Sequence, residues 1–138
     1  MTALLTDIVV MRGTLGEAPV ILVVEDEENL REPLAHLLRL RHYEVITADT
    51  VESALAVLQT HKPDGAIVDL QLRGRSGRDV IVRMPSRAPV IIFSGMRSAS
   101  GELERLRPRT RLIEKPASLT WLIDALDEML DRTREFAS

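Results

Sequence analysis

The sequence contains no cysteine. Disulfides, thiolate metal sites and cysteine nucleophiles are excluded together. Aromatic residues are only 3% of the chain, namely Tyr43, Phe93, Trp121 and Phe136. A surface that holds RNA or single-stranded DNA by stacking needs more platforms than these. The three histidines, His36, His42 and His61, show no ligand-like grouping, so zinc is not expected. No apolar run approaches the roughly 18–20 residues of a membrane span. Residues 1–17 carry Asp7 where a signal peptide needs early positive charge, and they lack a cleavage context. A cytoplasmic location is therefore expected. There is no G-x-x-x-x-G-K run, which excludes a P-loop enzyme, and Gly74–Gly77 (GRSG) is too short for a dinucleotide fingerprint.

What is present suits one domain of 138 residues with a packed core, since 45% of residues are hydrophobic and 28% charged. The net charge of −3 hides a segregation. Residues 1–72 carry a net −7, residues 73–111 hold ten arginines and a net +7, and residues 112–138 return to −3. A solvated surface accounts for such a block. The functional alternative is a docking face for an acidic partner.

Short apolar runs alternate with helix-period segments. Val20–Val24 (VILVV) is the composition of a strand buried on both faces. A helix is predicted over residues 29–40, with Leu30, Leu34, Leu37 and Leu38 on one stripe and Pro33 near its first turns. Glu44–Ala48 reads as a second strand, Val51–Thr60 as a second helix with Ala54, Leu55 and Leu58 inward, and residues 66–69 as a third strand. After a loop over 70–77, a short third helix at 78–84 is stopped by Pro85. A fourth strand at 89–93, a weak helix at about 99–106 and a fifth strand at 111–114 follow. Ser118 caps a last helix running to about residue 132, with Leu122, Ile123, Leu126 and Leu130 inward. Five βα units imply a parallel sheet covered by helices on both faces. Residues 1–18 lie outside the alternation. They are compatible with an extra strand or helix, or with an overlong gene start in which Met11 is the initiator.

In open α/β sheets, ligands bind beyond the carboxyl ends of the strands. Polar residues fall at four such ends: Glu25-Asp26, Asp69, Ser94-Gly95 and Lys115-Pro116. Singly these are weak signals, because an acid after a strand is most often a helix cap. Together they bring three carboxylates, a hydroxyl and an ammonium to one edge. Crowded carboxylates repel unless a cation neutralises them, and an all-oxygen set suits Mg²⁺. A carboxylate is also a nucleophile towards phosphorus, and Mg²⁺, Lys115 and Ser94 could neutralise the phosphoryl oxygens. Asp69, which closes the central strand, is the candidate nucleophile.

At these residues the sequence resembles the response-regulator receiver domain of two-component signalling, over about residues 19–132. The resemblance rests on Glu25-Asp26 after VILVV, Asp69 in AIVDLQL, Gly77, Ser94 in VIIFSG and Lys115-Pro116. It implies a flavodoxin-like α/β fold: a five-stranded parallel sheet, doubly wound, in the order 2-1-3-4-5. It further implies that Glu25, Asp26, Asp69 and the backbone carbonyl of Gln71 hold Mg²⁺. Asp69 would accept a phosphoryl group from a histidine kinase or phosphotransfer protein. Ser94 and Lys115 would contact that group, with the Lys115-Pro116 bond cis. Ser94 and Leu112 would form the switch, and Gln71 and Met96 would tune dephosphorylation.

The chain departs from the family pattern in places. Glu25 replaces the commoner Asp, Arg73 stands where Pro is usual, and the third and fourth helices are short or weak. Leu112 replaces the usual Tyr or Phe, so the switch is expected to work without aromatic rotation. Reordering of the weak helix would redirect Arg97, Arg105, Arg107, Arg109 and Arg111 towards an acidic downstream protein. These features resemble an atypical group of stand-alone receivers in α-proteobacteria. The expected organisation is an extension over 1–18, a receiver over 19–132 and a tail over 133–138, with no output domain. Only about six residues follow the last helix, leaving no helix-turn-helix, so direct DNA binding is not expected. Either a monomer or a phosphorylation-dependent dimer fits. Two other readings are a pseudo-receiver that binds partners without phosphorylation, and a Mg²⁺-dependent phosphohydrolase. The second requires a D-x-D pattern after the first strand, where this chain has Glu25-Asp26-Glu27-Glu28.

Overall fold

Residues 17–95 and 100–130 are described by the computed structural model. The run Val20–Val24 forms β1, flanked on both sides as its β-branched composition demands. It pairs in parallel with β2 (Glu44–Ala48) and β3 (Gly65–Val68). Strand β3 in turn pairs with β6 (Val90–Ser94), and β6 with β7 (Thr110–Glu114). The sheet order β2-β1-β3-β6-β7 is the order expected above, with the two smallest strands aside.

Alternation along each strand sorts the core into two layers. Ile21, Val23, Ile67, Ile91, Phe93 and Ile113 face α1 (Glu28–Leu40) and α5 (Leu119–Met129). Leu22, Val24, Ala66, Val68, Val90 and Ile92 face α2 (Val51–Thr60), α3 (Arg78–Arg83) and α4 (Ser100–Leu106). Leu34 and Leu38 of α1 and Leu122, Ile123 and Leu126 of α5 are buried, as their helical spacing predicts. Two helix starts are secured by hydroxyls. Thr50 and Ser53 form a capping box on α2, and the Ser118 hydroxyl accepts from the Trp121 amide. Arg41 at the end of α1 joins α5 by donating to Asp124 at 2.9 Å and Asp127 at 2.6 Å.

The predicted loop over 70–77 contains a miniature hairpin, β4 (Gln71–Leu72) against β5 (Arg75–Ser76). Its two-residue turn places Arg73 at φ 51° and Gly74 at φ 81°. Positive φ at both central positions matches the twist of paired strands, and a glycine takes it without Cβ strain. Strands of two residues are too short to register as periodicity. Helix α3 ends one residue earlier than predicted, ahead of Pro85. Ala99 and the part of the last helix expected beyond residue 130 lie outside the described residues, as do residues 1–16. Among the described residues, no helix is long and apolar enough to cross a membrane.

One of the five arginines expected to face a partner is turned inward. Arg107 is buried and donates to the carbonyl of Pro85, the carbonyl of Pro108 at 3.3 Å and the Thr110 hydroxyl at 3.3 Å. Burial, with the nearby charge of Arg109, holds its pKa below the usual arginine value. Arg109 donates to the carbonyls of Arg87 and Met129. The Arg107 guanidinium is engaged by acceptors near the amino ends of β6 and β7, which corrects the expectation that it serves docking, whereas Arg109 stays exposed. Arg97 lies outside the described residues, while Arg105 and Arg111 are exposed.

Candidate functional site

Parallel strands end together, so the residues just past β1, β3, β6 and β7 gather at one edge. Glu25 and Asp69 are buried there, and Ser94 is wholly so. The amide of Glu25 donates to Ala48 and that of Asp69 to Val24, each extending the ladder one step past its strand. Glu25, Asp26 and Asp69 each present a carboxylate oxygen, all within 4.8 Å of one another. Lys115 reaches into this cluster from the end of β7. Its Nζ lies 2.9 Å from Glu25 Oε1 and 2.9 Å from Asp69 Oδ2. The ammonium also sits 5.5 Å from the centre of the Phe93 ring, within cation–π range. The Lys115-Pro116 bond is cis, as expected.

Three further carboxylate oxygens accept from backbone amides. Gln71 donates to Asp69 Oδ1 at 3.0 Å, Glu27 to Glu25 Oε2 at 3.1 Å and Arg73 to Asp26 Oδ2 at 3.1 Å. Burial pushes the Glu25 carboxyl above the usual glutamate range, against the opposing pull of Lys115. Burial also depresses the Lys115 ammonium, but its hydrogen bonds to Asp69 and Glu25 outweigh that and leave its pKa raised. Three carboxylates against one ammonium leave a formal excess of two negative charges. A divalent cation with oxygen preference fits both the donor set and the charge, and Glu25, Asp26 and Asp69 would hold it.

Lys115 thus offsets part of the repulsion. Substituting Lys115→Met is expected to lower the stability of the metal-free protein by about 1–3 kcal/mol. That is less than the cost of breaking a fully buried pair, because the lysine is partly exposed. Adding Mg²⁺ should recover more stability in this variant than in the parent, because the ion finds a stronger negative field. Thermal unfolding with and without Mg²⁺ measures both effects; an equal Mg²⁺ increment would contradict this electrostatic account.

The structure brings Glu25, Asp26, Asp69, Ser94, Gln71 and Lys115 to one end of the sheet. Leu112 lies farther down β7, half-buried against the same layer as Leu103 of α4. Its amide donates to Glu104 Oε2 at 3.1 Å, tying β7 to α4. Met96 lies outside the described residues. Sequence reasoning missed the Arg73 amide on Asp26 and the hairpin that supplies it. The Arg73-Gly74 pair, an X-Gly between short segments, was the available signal. It also missed Arg31, whose Nη1 donates to the carbonyl of Glu25 at 3.0 Å. Gly77 has a structural reason for being glycine: a Cβ there would lie 2.2 Å from the Asp69 carbonyl oxygen.

Comparison with known proteins bears on the family and the fold. The transcriptional regulatory protein PdtaR of Mycobacterium tuberculosis is 31% identical over 123 residues, covering 86% of this chain and 60% of PdtaR. The sensory transduction protein RegX3 of Mycolicibacterium smegmatis is 35% identical over 115 residues, covering 81% of this chain and 50% of RegX3. The chain thus spans between half and two thirds of these relatives. A CheY-like receiver domain protein from Methanospirillum hungatei superposes with a TM-score of 0.75 at 22% identity, covering 86% of this chain and 98% of that one. At that identity the likeness speaks for the fold. The family model of the response regulator receiver domain matches residues 21–127. This chain belongs to the response regulator receiver family of two-component signalling.

Proposed function

We propose that Asp69 is the phosphoacceptor of this receiver domain, and that phosphorylation depends on Mg²⁺ held by Glu25, Asp26, Asp69 and the carbonyl of Gln71. The observation that carries this reading is the convergence of three carboxylates with the Lys115 ammonium between two of them. The donor is a histidine kinase or a phosphotransfer protein. An Asp69 oxygen attacks phosphorus in line, the P–N bond of the phosphohistidine breaks, and its electron pair leaves on the imidazole nitrogen. Bound magnesium supplies positive charge to the phosphoryl oxygens and the attacking carboxylate. Lys115, freed from sharing Asp69, pairs with one phosphoryl oxygen, and the Ser94 hydroxyl contacts another.

In this reading residues 19–132 form the receiver, residues 1–18 and 133–138 flank it, and the protein works in the cytoplasm. It signals through contact with a downstream protein or by passing phosphate along a relay, as a monomer or as a phosphorylation-dependent dimer. Intact-mass measurement after incubation with acetyl phosphate tests the chemistry. One added phosphoryl group is expected with Mg²⁺ and none with a chelator. No addition in either case would instead favour a pseudo-receiver that binds partners unmodified.

The lifetime of the phosphoryl group should depend on Met96, the residue two beyond Ser94. A thioether cannot hydrogen-bond an attacking water as a carboxylate can. Met96→Glu is expected to shorten the lifetime severalfold, followed as loss of the phosphoryl mass with time. Equal decay in the two proteins would leave water orientation to Gln71.

Output is proposed to run through α4. Leu103 is its one buried residue among the described side chains, so the helix sits near the low-stability end of the fold. Its tie to β7 through Glu104 and Leu112 gives the phosphorylated sheet edge a handle on it. Phosphorylation should change amide hydrogen exchange over residues 97–111 more than elsewhere. Identical exchange there, with changes on another face, would contradict this route.

A further inference from the structure

Arg31 stands where helix physics disfavours it. It is the fourth residue of α1, at the end of the helix whose dipole repels cations. Its side chain is nonetheless mostly buried, with 14% exposed. Nη1 donates to the carbonyl oxygen of Glu25 at 3.0 Å and reaches that of Asp26 at 3.5 Å. Both carbonyls belong to the turn between β1 and α1, beyond the end of the β1 strand.

We propose that Arg31 is a positioning residue for the cation site, which rests on the phosphoacceptor reading given above. It grips the backbone from which the Glu25 and Asp26 carboxylates project towards Asp69. The two side chains are each tied at one oxygen, Glu25 by the Glu27 amide and Asp26 by the Arg73 amide. Those ties aim the carboxylates only if the backbone beneath them is fixed, and Arg31 is the side chain that fixes it. Direct electrostatics acts in the opposite sense, since a neighbouring guanidinium repels a divalent ion. Glu32 at 3.4 Å and Glu28 at 3.9 Å flank the guanidinium and cancel much of that field. Loss of Arg31 is therefore felt through geometry, as with groups that orient metal ligands elsewhere.

Calorimetric Mg²⁺ titration of the full chain tests this, using Arg31→Ala, Arg31→Lys, Glu32→Ala and Asp26→Ala beside the parent. Arg31→Ala should weaken Mg²⁺ binding by about 10–100-fold, the range for lost support of metal ligands. Arg31→Lys should recover part of it, because an ammonium can reach one carbonyl. Glu32→Ala should cost less than Arg31→Ala, as it exposes more of the guanidinium's field but leaves its grip on the carbonyls. In the metal-free proteins, the Glu27 amide that donates to Glu25 should exchange faster in Arg31→Ala than in the parent. A lower Tm with Mg²⁺ affinity and Glu27 exchange unchanged would make Arg31 merely structural and overturn the proposal. Should Arg31→Ala fail to fold, Arg31→Lys decides, and parental affinity in it overturns the proposal. Asp26→Ala separates the two levels: parental affinity in that variant overturns the cation-site reading itself.

Discussion

Asp69→Asn is expected to abolish phosphate incorporation while leaving the fold in place. The substitution keeps the shape and the acceptor oxygen for the Gln71 amide, 3.0 Å from Asp69 Oδ1. What it removes is the negative charge that makes the carboxylate a nucleophile towards phosphorus. It also removes one of three crowded carboxylates, so the metal-free variant should unfold no more easily than the parent. Acetyl phosphate with Mg²⁺, read by intact mass, gives the comparison, and circular dichroism confirms the fold. Undiminished phosphate incorporation in the variant would remove Asp69 from the mechanism.

Gly77→Ala should be among the most damaging single-methyl changes available. The added Cβ would lie 2.2 Å from the Asp69 carbonyl oxygen and 3.0 Å from Val68 Cγ1. The first neighbour is backbone, so no rotamer relieves the clash. Gly77 also precedes α3, and its amide donates to the Leu70 carbonyl at 3.0 Å, which fixes how closely the chain returns. Relief requires moving either α3 or the segment bearing Asp69. Overpacking of this kind costs about 3 kcal/mol or more when the backbone must shift. Chemical denaturation should show that loss, accompanied by slower phosphorylation because Asp69 is displaced. A stability within about 0.5 kcal/mol of the parent, the range of benign surface changes, would show that the hairpin segment adapts freely.

Much of this molecule is legible from local sequence. VILVV and PVIIF announce buried parallel strands because each residue's burial follows from its own side chain. The leucine spacings of α1 and α5 announce which faces they cover. Glu25, Asp26, Asp69, Ser94 and Lys115 could be placed at one edge because parallel strands end together. Features set by long-range backbone geometry were hidden. Arg107 looked like surface charge, yet carbonyls left by Pro85 and Pro108 draw it into the interior. Arg31 drew no notice in the sequence, and only the three-dimensional turn brings it to the Glu25 carbonyl. The hairpin escaped because two-residue strands carry no period, although it places the Arg73 amide on Asp26.

The measurement that bears most directly on the central claim is peptide mapping of the protein after acetyl phosphate and Mg²⁺ treatment. Reduction of the acyl phosphate in place would mark the modified side chain by mass. The account predicts a single modified position, Asp69, lost when Mg²⁺ is chelated. Modification at another residue, or at none, would contradict it.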